Sequence, residues 1–389
     1  FLSALGPGAA VMVKAAAGGG GRGMRPALAE RDLAEAFARC QSEALSGFGN
    51  GDLYVERLIQ RARHIEVQVI GDGLEVSHLW ERDCSLQRRR QKIVEIAPAP
   101  NLARDLRDKL LDAALRLAAA ANYKNLGTIE FLVDADSDDF FFIEANPRLQ
   151  VEHTVTEEIT GLNLVELQLQ IAGGQTLAEL GLTRDKAPSP RGIAMQLRVN
   201  TETMQPDGEA RPGGGMLTAF EPPSGRGVRV DHYGYVGYRT NPAYDSLLAK
   251  VIVHTSSGRL SDILAKGYRA LCEFHVAGAP TNIPFLQNLT RDPGVAAGGA
   301  HTGYVEAHAA ALIRGQDSRH PHLYFAPTTE ESGRPGRAGS KVDAVDPLAV
   351  LAFGQTETAN RRASGQPGVG DEPADGMVAV RAPLQGTII

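Results

Sequence analysis

The chain has 389 residues, 43% hydrophobic and 22% charged, with a formal net charge of -6. That balance predicts a folded chain of two or three domains and gives no electrostatic case for nucleic acid or an anionic membrane. Cys40, Cys84 and Cys272 form no CxxC pair, which argues against a zinc site or disulfide framework and fits a reducing, cytoplasmic compartment. No apolar run approaches the roughly 18 residues of a membrane helix.

Val11-Met12-Val13-Lys14 reads as a buried strand, followed by the loop Gly18–Gly23. A helix is expected from about Glu30 to Ser46, ending at Gly47 and Gly49. Ile65 to Ile70 alternates as a half-buried strand, Gly71-Asp72-Gly73 turns, and Leu74 to Trp80 returns. Asn101 is placed to cap a helix with the stripe Leu106, Leu110, Ala113, Leu117 and Ala121. A second hairpin runs from Thr128 to Val133, through an acidic turn, to Phe140–Asn146. Asn163 with Glu166 resembles a capping box for a helix reaching Gly173-Gly174. Short strands are expected from Arg191 to His254 and a helix from about Ser261 to Glu273. Residues from about 315 to 375 read as a linker rich in Gly, Ser, Pro and charge. The chain opens on Phe1 and closes on the strand-like Gly386-Thr387-Ile388-Ile389, so it is expected to be part of a longer polypeptide.

The glycine loop fits GxGxxG but lacks the Lys-Ser/Thr of a P-loop, and Pro26 with the wrong spacing excludes a dinucleotide fingerprint. It suits a flap whose backbone N–H groups close over phosphates, with Lys14 at the end of the preceding strand. The hairpin is more specific. Its turn centres near Ser137, which puts Glu130 opposite Glu144. Asn146 shares a face with Glu144. Two carboxylates and an amide oxygen together call for Mg2+ or Mn2+, with nucleotide phosphates completing the shell. Phe131, Phe141 and Phe142 suggest that the hairpin is well buried. The turn Asp134–Asp139 lacks the glycine and the terminal glutamate of an EF-hand. Arg148, Gln150 and Glu152 continue the alternation and, if extended, face one side: a guanidinium and an amide for an oxyanion, and a carboxylate to remove a proton. A simple Arg148–Glu152 ion pair is the plainer alternative. The basic run Glu81–Lys92 fits a cationic pocket for a triphosphate and a small anion better than a nucleic-acid patch, because few aromatics interleave.

These motifs occur in the order seen in biotin carboxylases, which are ATP-grasp enzymes. The resemblance rests on Lys14–Arg25, Arg63–Gln68, Glu81–Lys92, Gly127–Phe131, Ile143–His153, Arg198-Val199-Asn200, Tyr244–Lys250 and Thr281-Asn282-Ile283, and spans roughly residues 1–310. It implies an α+β, ATP-grasp fold with a lid subdomain over 1–58, a central subdomain over 59–190 and a biotin carboxylase C-terminal subdomain over 191–312. The family's N-terminal domain is not represented. A linker over 313–375 and the start of a biotinyl carrier domain over 376–389 would follow, because Arg381–Ile388 resembles the opening of such a carrier.

By the same resemblance, Lys14, Gly19, Gly20 and Gly21 belong to the lid. Glu56, Arg57 and Ile59 line the adenine pocket, and His64 and Gln87 contact the nucleotide. Glu130, Glu144 and Asn146 hold the metal. Lys92, Arg148, Gln150, Val151 and Glu152 bind bicarbonate, with Glu152 as its base, and Arg148 and Arg198 steady the biotin enolate. Arg90 and Arg57 stand where many members have histidine and lysine; both keep the positive charge. The implied reaction is ATP-dependent carboxylation of biotin through carboxyphosphate, the first half-reaction of an acyl-CoA carboxylase, with a biotinyl carrier and a carboxyltransferase as partners and a homo-oligomeric assembly. Pyruvate or urea carboxylase, a carbamoyl-phosphate synthetase half and a non-catalytic scaffold are the alternatives.

Overall fold

The structure, a computed structural model, describes residues 1–324 apart from 7–8, 18–22, 206–208, 242–243 and 315–319. Gly19, Gly20 and Gly21, most of the expected linker and the carrier-like tail therefore lie outside the described residues.

The first subdomain pairs β2 (Met24–Ala27), β1 (Val11–Ala15) and β3 (Leu53–Arg57) in that order. The alternation of β1 buries Val11 and Val13 against Ala36 and Cys40 of α1 (Leu33–Phe48). Gly49, in the left-handed conformation, ends α1, as a residue without Cβ readily does.

The main body is an eight-stranded antiparallel sheet. Its first members are β4 (Ala62–Asp72), β5 (Val76–Arg88), β6 (Gln91–Ala97), β7 (Lys124–Asp134) and β8 (Phe140–Asn146), with α2 (Arg104–Ala120) between β6 and β7. The helices α3 (His153–Thr160), α4 (Leu164–Ala172) and α5 (Leu177–Leu180) lead to β9 (Ile193–Asn200). Three short strands follow: β10 (Glu202–Met204), β11 (Ala210–Pro212) and β12 (Ala219–Glu221). Then come β13 (Val228–His232), β14 (Leu247–Thr255), α6 (Leu260–Glu273), β15 (His275–Ala277), α7 (Ile283–Arg291), α8 (Pro293–Ala296) and α9 (Tyr304–Arg314). The sheet order is β13-β14-β9-β6-β5-β4-β7-β8.

Strand alternation divides the sheet. Ile65, Val67, Ile129 and Phe131 pack under the apolar stripe of α2, whereas the intervening residues of β4 and β7 are polar: His64, Glu66, Gln68, Thr128 and Glu130. Beyond β6, β9 and β14 share a larger core with α6, α7 and α9. α3 packs Val155 and Ile159 on Ala97, Ala194 and Ile252, spanning the junction. Among the described residues, no helix is long and apolar enough to cross a membrane.

Three local expectations need correction, and one holds. The returning strand starts at Val76, because Asp72 accepts bonds from the Leu74 and Glu75 amides and tightens the turn. Asn101 does not cap α2: it takes a left-handed conformation, and Ala103 is the N-cap without a side-chain bond. Asn163 does cap α4, accepting from the Glu166 amide. Phe141 and Phe142 are 45% and 52% exposed, since β8 is an edge strand; only Phe131 is buried, with Phe140 and Phe142 edge-on to it.

Leu110 is fully buried under the sheet in the α2 core. Leu110→Ala should cost about 2–5 kcal/mol, read as a lowered denaturant midpoint; an unchanged midpoint would contradict this packing.

Candidate active site

The hairpin register places Glu130 opposite Glu144. The same transverse row continues across β4 and β5, because Glu130 pairs with Glu66 and Glu66 with Arg82. Directly paired residues on neighbouring strands point to the same face, so four charged side chains form one line across the sheet. Arg82 is fully buried and bonds in several directions: Nε to Glu66 Oε1 at 2.5 Å, Nη1 to Gln68 Oε1 at 2.8 Å and to Thr156 Oγ1 of α3 at 2.9 Å. Its Nη2 reaches Thr128 and, at 3.4 Å, Gln150.

Lys92, at the start of β6, reaches into this row. Its Nζ lies 2.5 Å from Glu66, 2.5 Å from Glu152 and 3.2 Å from Glu130. Arg198 of β9 closes the other side of Glu152, Nη2 to Oε2 at 3.0 Å. Glu152 is thus held between a lysine and an arginine, and Arg148 makes no bond to it; the simple Arg148–Glu152 pair is not formed.

Burial and repulsion from Glu66 push the Glu152 pKa up, but Lys92, Arg198 and Arg82 prevail and hold it below its ordinary value. Glu66 is lowered likewise, burial being outweighed by Lys92 and Arg82. For Lys92, burial favours the neutral amine, yet Glu66, Glu152 and Glu130 raise its pKa well above the usual range. In Glu130, His64, Lys92 and Gln150 overcome burial and keep the carboxyl well below the carboxylate range.

The sequence-derived residues meet here in part. Asn146 Nδ2 donates to Glu130 and Glu144, both at 3.0 Å, and Gln150 Nε2 donates to Glu130 at 2.7 Å. Two carboxylates therefore converge on one point with an amide beside them. This all-oxygen set, with either amide orientation available to Asn146, fits a hard divalent cation. His64 Nε2 lies 2.8 Å from Glu130 Oε2, and Gln87 Nε2 meets His64 Nδ1 at 2.7 Å.

Beyond Asn146 the chain leaves the sheet, and Glu152 becomes the N-cap of α3. The expected extended alternation gives way to a loop: Gln150 and Glu152 are buried, while Arg148 stays exposed. All three nonetheless line a cavity of about 830 Å³ with Lys92, Glu144 and Arg198. Val151 lines it too, its carbonyl held by Lys250 Nζ at 3.1 Å.

The basic run gathers in this cavity only in part: Arg88, Arg90 and Lys92 line it. Glu81 pairs with Arg107 of α2, Arg82 is internal, and Arg88 binds Glu202. Arg90 donates to the Met24 carbonyl of the first subdomain. In that subdomain Lys14 pairs with Glu56 at 3.0 Å. Lys14, Glu56, Arg57 and Ile59 are not among the residues lining the cavity.

Sequence reasoning missed Glu66, Gln68, Arg82 and Glu95 as members of the site. Period-two alternation from His64 through Glu66 to Gln68 was the available sign for the first two. It also gave no role to Asn282, which holds the end of β9 through the Asn200 amide and the Arg198 carbonyl.

The family profile for the carbamoyl-phosphate synthase L chain, ATP-binding domain, matches residues 4–180, and that for the biotin carboxylase C-terminal domain matches residues 196–307. Pyruvate carboxylase of Aspergillus niger is 48% identical over 298 residues, 76% of this chain and 24% of that protein. The biotin carboxylase domain of Hydrogenobacter thermophilus 2-oxoglutarate carboxylase, solved with MgADP, ADP and bicarbonate, is 38% identical with a TM-score of 0.73, over 80% of this chain and 66% of that one. A single-chain, multi-domain long-chain acyl-CoA carboxylase is 45% identical with a TM-score of 0.64, over 69% and 28%. The fold is thus that of an ATP-grasp protein with a biotin carboxylase C-terminal subdomain. The chain belongs to the biotin carboxylase family. It spans about a quarter of the length of the pyruvate carboxylases it matches.

A carboxylate whose folded pKa is depressed stabilises the fold above its ordinary pKa of about 4.3, and the contribution is lost as pH falls through the folded value. Lys92 is the largest attractive influence on both Glu66 and Glu152. Lys92→Met should therefore raise both pKa values toward the unfolded value, lowering stability near neutrality and making the acid-side loss of thermal stability shallower. Melting curves between pH 3 and pH 7 check this; superimposable acid limbs would refute it.

Proposed function

We propose that the chain carries out ATP-dependent carboxylation of biotin with bicarbonate. The observation that supports it most is Glu152, an ionised carboxylate clamped by Lys92 and Arg198 beside the Glu130–Glu144–Asn146 cluster. That juxtaposition puts a proton acceptor at the edge of a cation site, as phosphorylation of bicarbonate requires. A divalent cation held by Glu130, Glu144 and Asn146 would neutralise phosphate charge during transfer of the γ-phosphoryl group.

In this reading bicarbonate lies between Lys92, Arg148 and Gln150, which hold its oxygens, and Glu152 removes its proton as the oxygen attacks the γ-phosphorus. ADP leaves and carboxyphosphate forms. Its breakdown gives CO2 and phosphate; the phosphate takes the biotin N1 proton, and Arg148 and Arg198 stabilise charge on the biotin oxygen. Lys14, His64, Gln87, Glu56, Arg57 and Ile59 are assigned to the nucleotide, which the first subdomain would cover.

The carboxyl acceptor is assigned to an acyl-CoA thioester through a biotinyl carrier and a carboxyltransferase. The support is the order of carboxylase, a linker of about 60 residues, too short for a transferase domain, and a carrier-like Arg381–Ile388. Identities of 48% to a pyruvate carboxylase and 45% to an acyl-CoA carboxylase do not separate the two acceptors.

Bicarbonate-dependent ADP release stimulated by free biotin is the direct assay. Glu152→Gln should lower that rate by at least about a hundredfold, the scale of losing a positioned general base, while a fluorescent ATP analogue still binds. Loss of nucleotide binding in step with the rate would overturn the base assignment.

A further inference from the structure

The residue that directs Arg198 lies outside every motif used above. Glu95 is fully buried at mid-strand in β6, with Gln196 of β9 as its register partner. Its Oε1 accepts Arg198 Nε at 2.6 Å and lies 2.5 Å from Nη2. Its Oε2 accepts Gln196 Nε2 at 2.9 Å. Gln196 Oε1 in turn accepts from Thr154 Oγ1 at 2.5 Å, in the first turn of α3. Glu95 is therefore tied to the Glu152 segment twice, once through Arg198 and once through Gln196 and Thr154.

Arg198 Nη2 is shared between Glu95 and Glu152, while its Nη1 has no protein hydrogen bond among the described residues. Arg198 also lines the cavity. A long side chain at a cavity wall samples many rotamers unless a planar partner grips its fork. Burying the Glu95–Arg198 ion pair gains little stability by itself, since hydrophobic replacements of buried ion pairs are often neutral or better. The arrangement makes sense as a means of aiming Arg198.

We propose that Glu95 is a positioning residue of the carboxylation site: it fixes the Arg198 fork so that Nη2 holds Glu152 and Nη1 remains available to an oxyanion in the cavity. The catalytic consequence rests on the biotin carboxylation reading; the positioning itself does not.

Glu95→Gln preserves shape and the bond to Gln196 while removing the charge that grips the fork. In the bicarbonate-dependent assay with free biotin, kcat should fall by about tenfold or more, the scale set by misplacement of a reacting group, with KM for ATP unchanged within about twofold. In an Arg198→Ala background the same change should cost nothing further, because the two residues act as one unit. Independent, multiplying losses, or an ATP KM rising by the same factor as kcat falls, would overturn the proposal. Glu95→Asp, which keeps the charge but withdraws it by one methylene, should be intermediate and serves if the glutamine variant fails to fold.

A second readout needs no turnover. The 15N-arginine spectrum of the full chain should show an ordered Arg198 Nε–H signal, assigned by its loss in Arg198→Ala. That signal should shift or broaden in Glu95→Gln and in Glu95→Asp. An unchanged signal in both defeats the positioning role whatever the activity. If the wild-type chain shows the ordered signal and the Glu95 variants shift it, but there is no bicarbonate-dependent cleavage, the reaction reading falls and the positioning statement stands.

Discussion

A line of like and unlike charges crossing one sheet face governs this molecule. Glu144, Glu130, Glu66 and Arg82 stand in register on β8, β7, β4 and β5. Three carboxylates in a row would repel strongly at low dielectric. The fold answers with Arg82 at one end and Lys92 inserted from β6, within 3.2 Å of Glu66, Glu130 and Glu152. Removing any one member would leave the remaining buried charges unmatched, the costly way to disturb such a cluster.

The rest of the structure follows from holding that line. α2 packs the apolar side of β4 and β7, so the strands are rigid beneath the polar face. α3 bridges β9 and β14 and supplies both Thr156 to Arg82 and the N-cap position of Glu152. β9 delivers Arg198 to the opposite side of Glu152. The Glu130–Glu144–Asn146 cluster and Glu152 are thus held by different elements but meet along one cavity wall. Such sites on regular elements hold their geometry better than sites on loops.

Much of this was legible in advance, for reasons that are local. The Glu130–Glu144 pairing follows from a turn position and a period of two, and the structure bears out that register. The cap at Asn163 is likewise local. Burial of Phe141 and Phe142 was misjudged because hydrophobicity does not reveal that β8 is an edge strand. The loop after Asn146 differs from the expected strand because alternation was carried past the point where β8 ends.

What the sequence determined by itself is the set of chemical groups and the face each takes within its own strand, since alternation is a property of one segment. It also carried the family, through motifs in a recognisable order. Only the tertiary structure decided which strands are neighbours. Glu95 and Arg198 are 103 residues apart, and Lys92 and Glu152 are 60 apart. No local period encodes those meetings; they arise because β6 lies between β5 and β9 in the sheet. The pKa directions at Glu152 and Lys92 exist only once those strands are packed, because burial and partner charge are both products of the assembled fold.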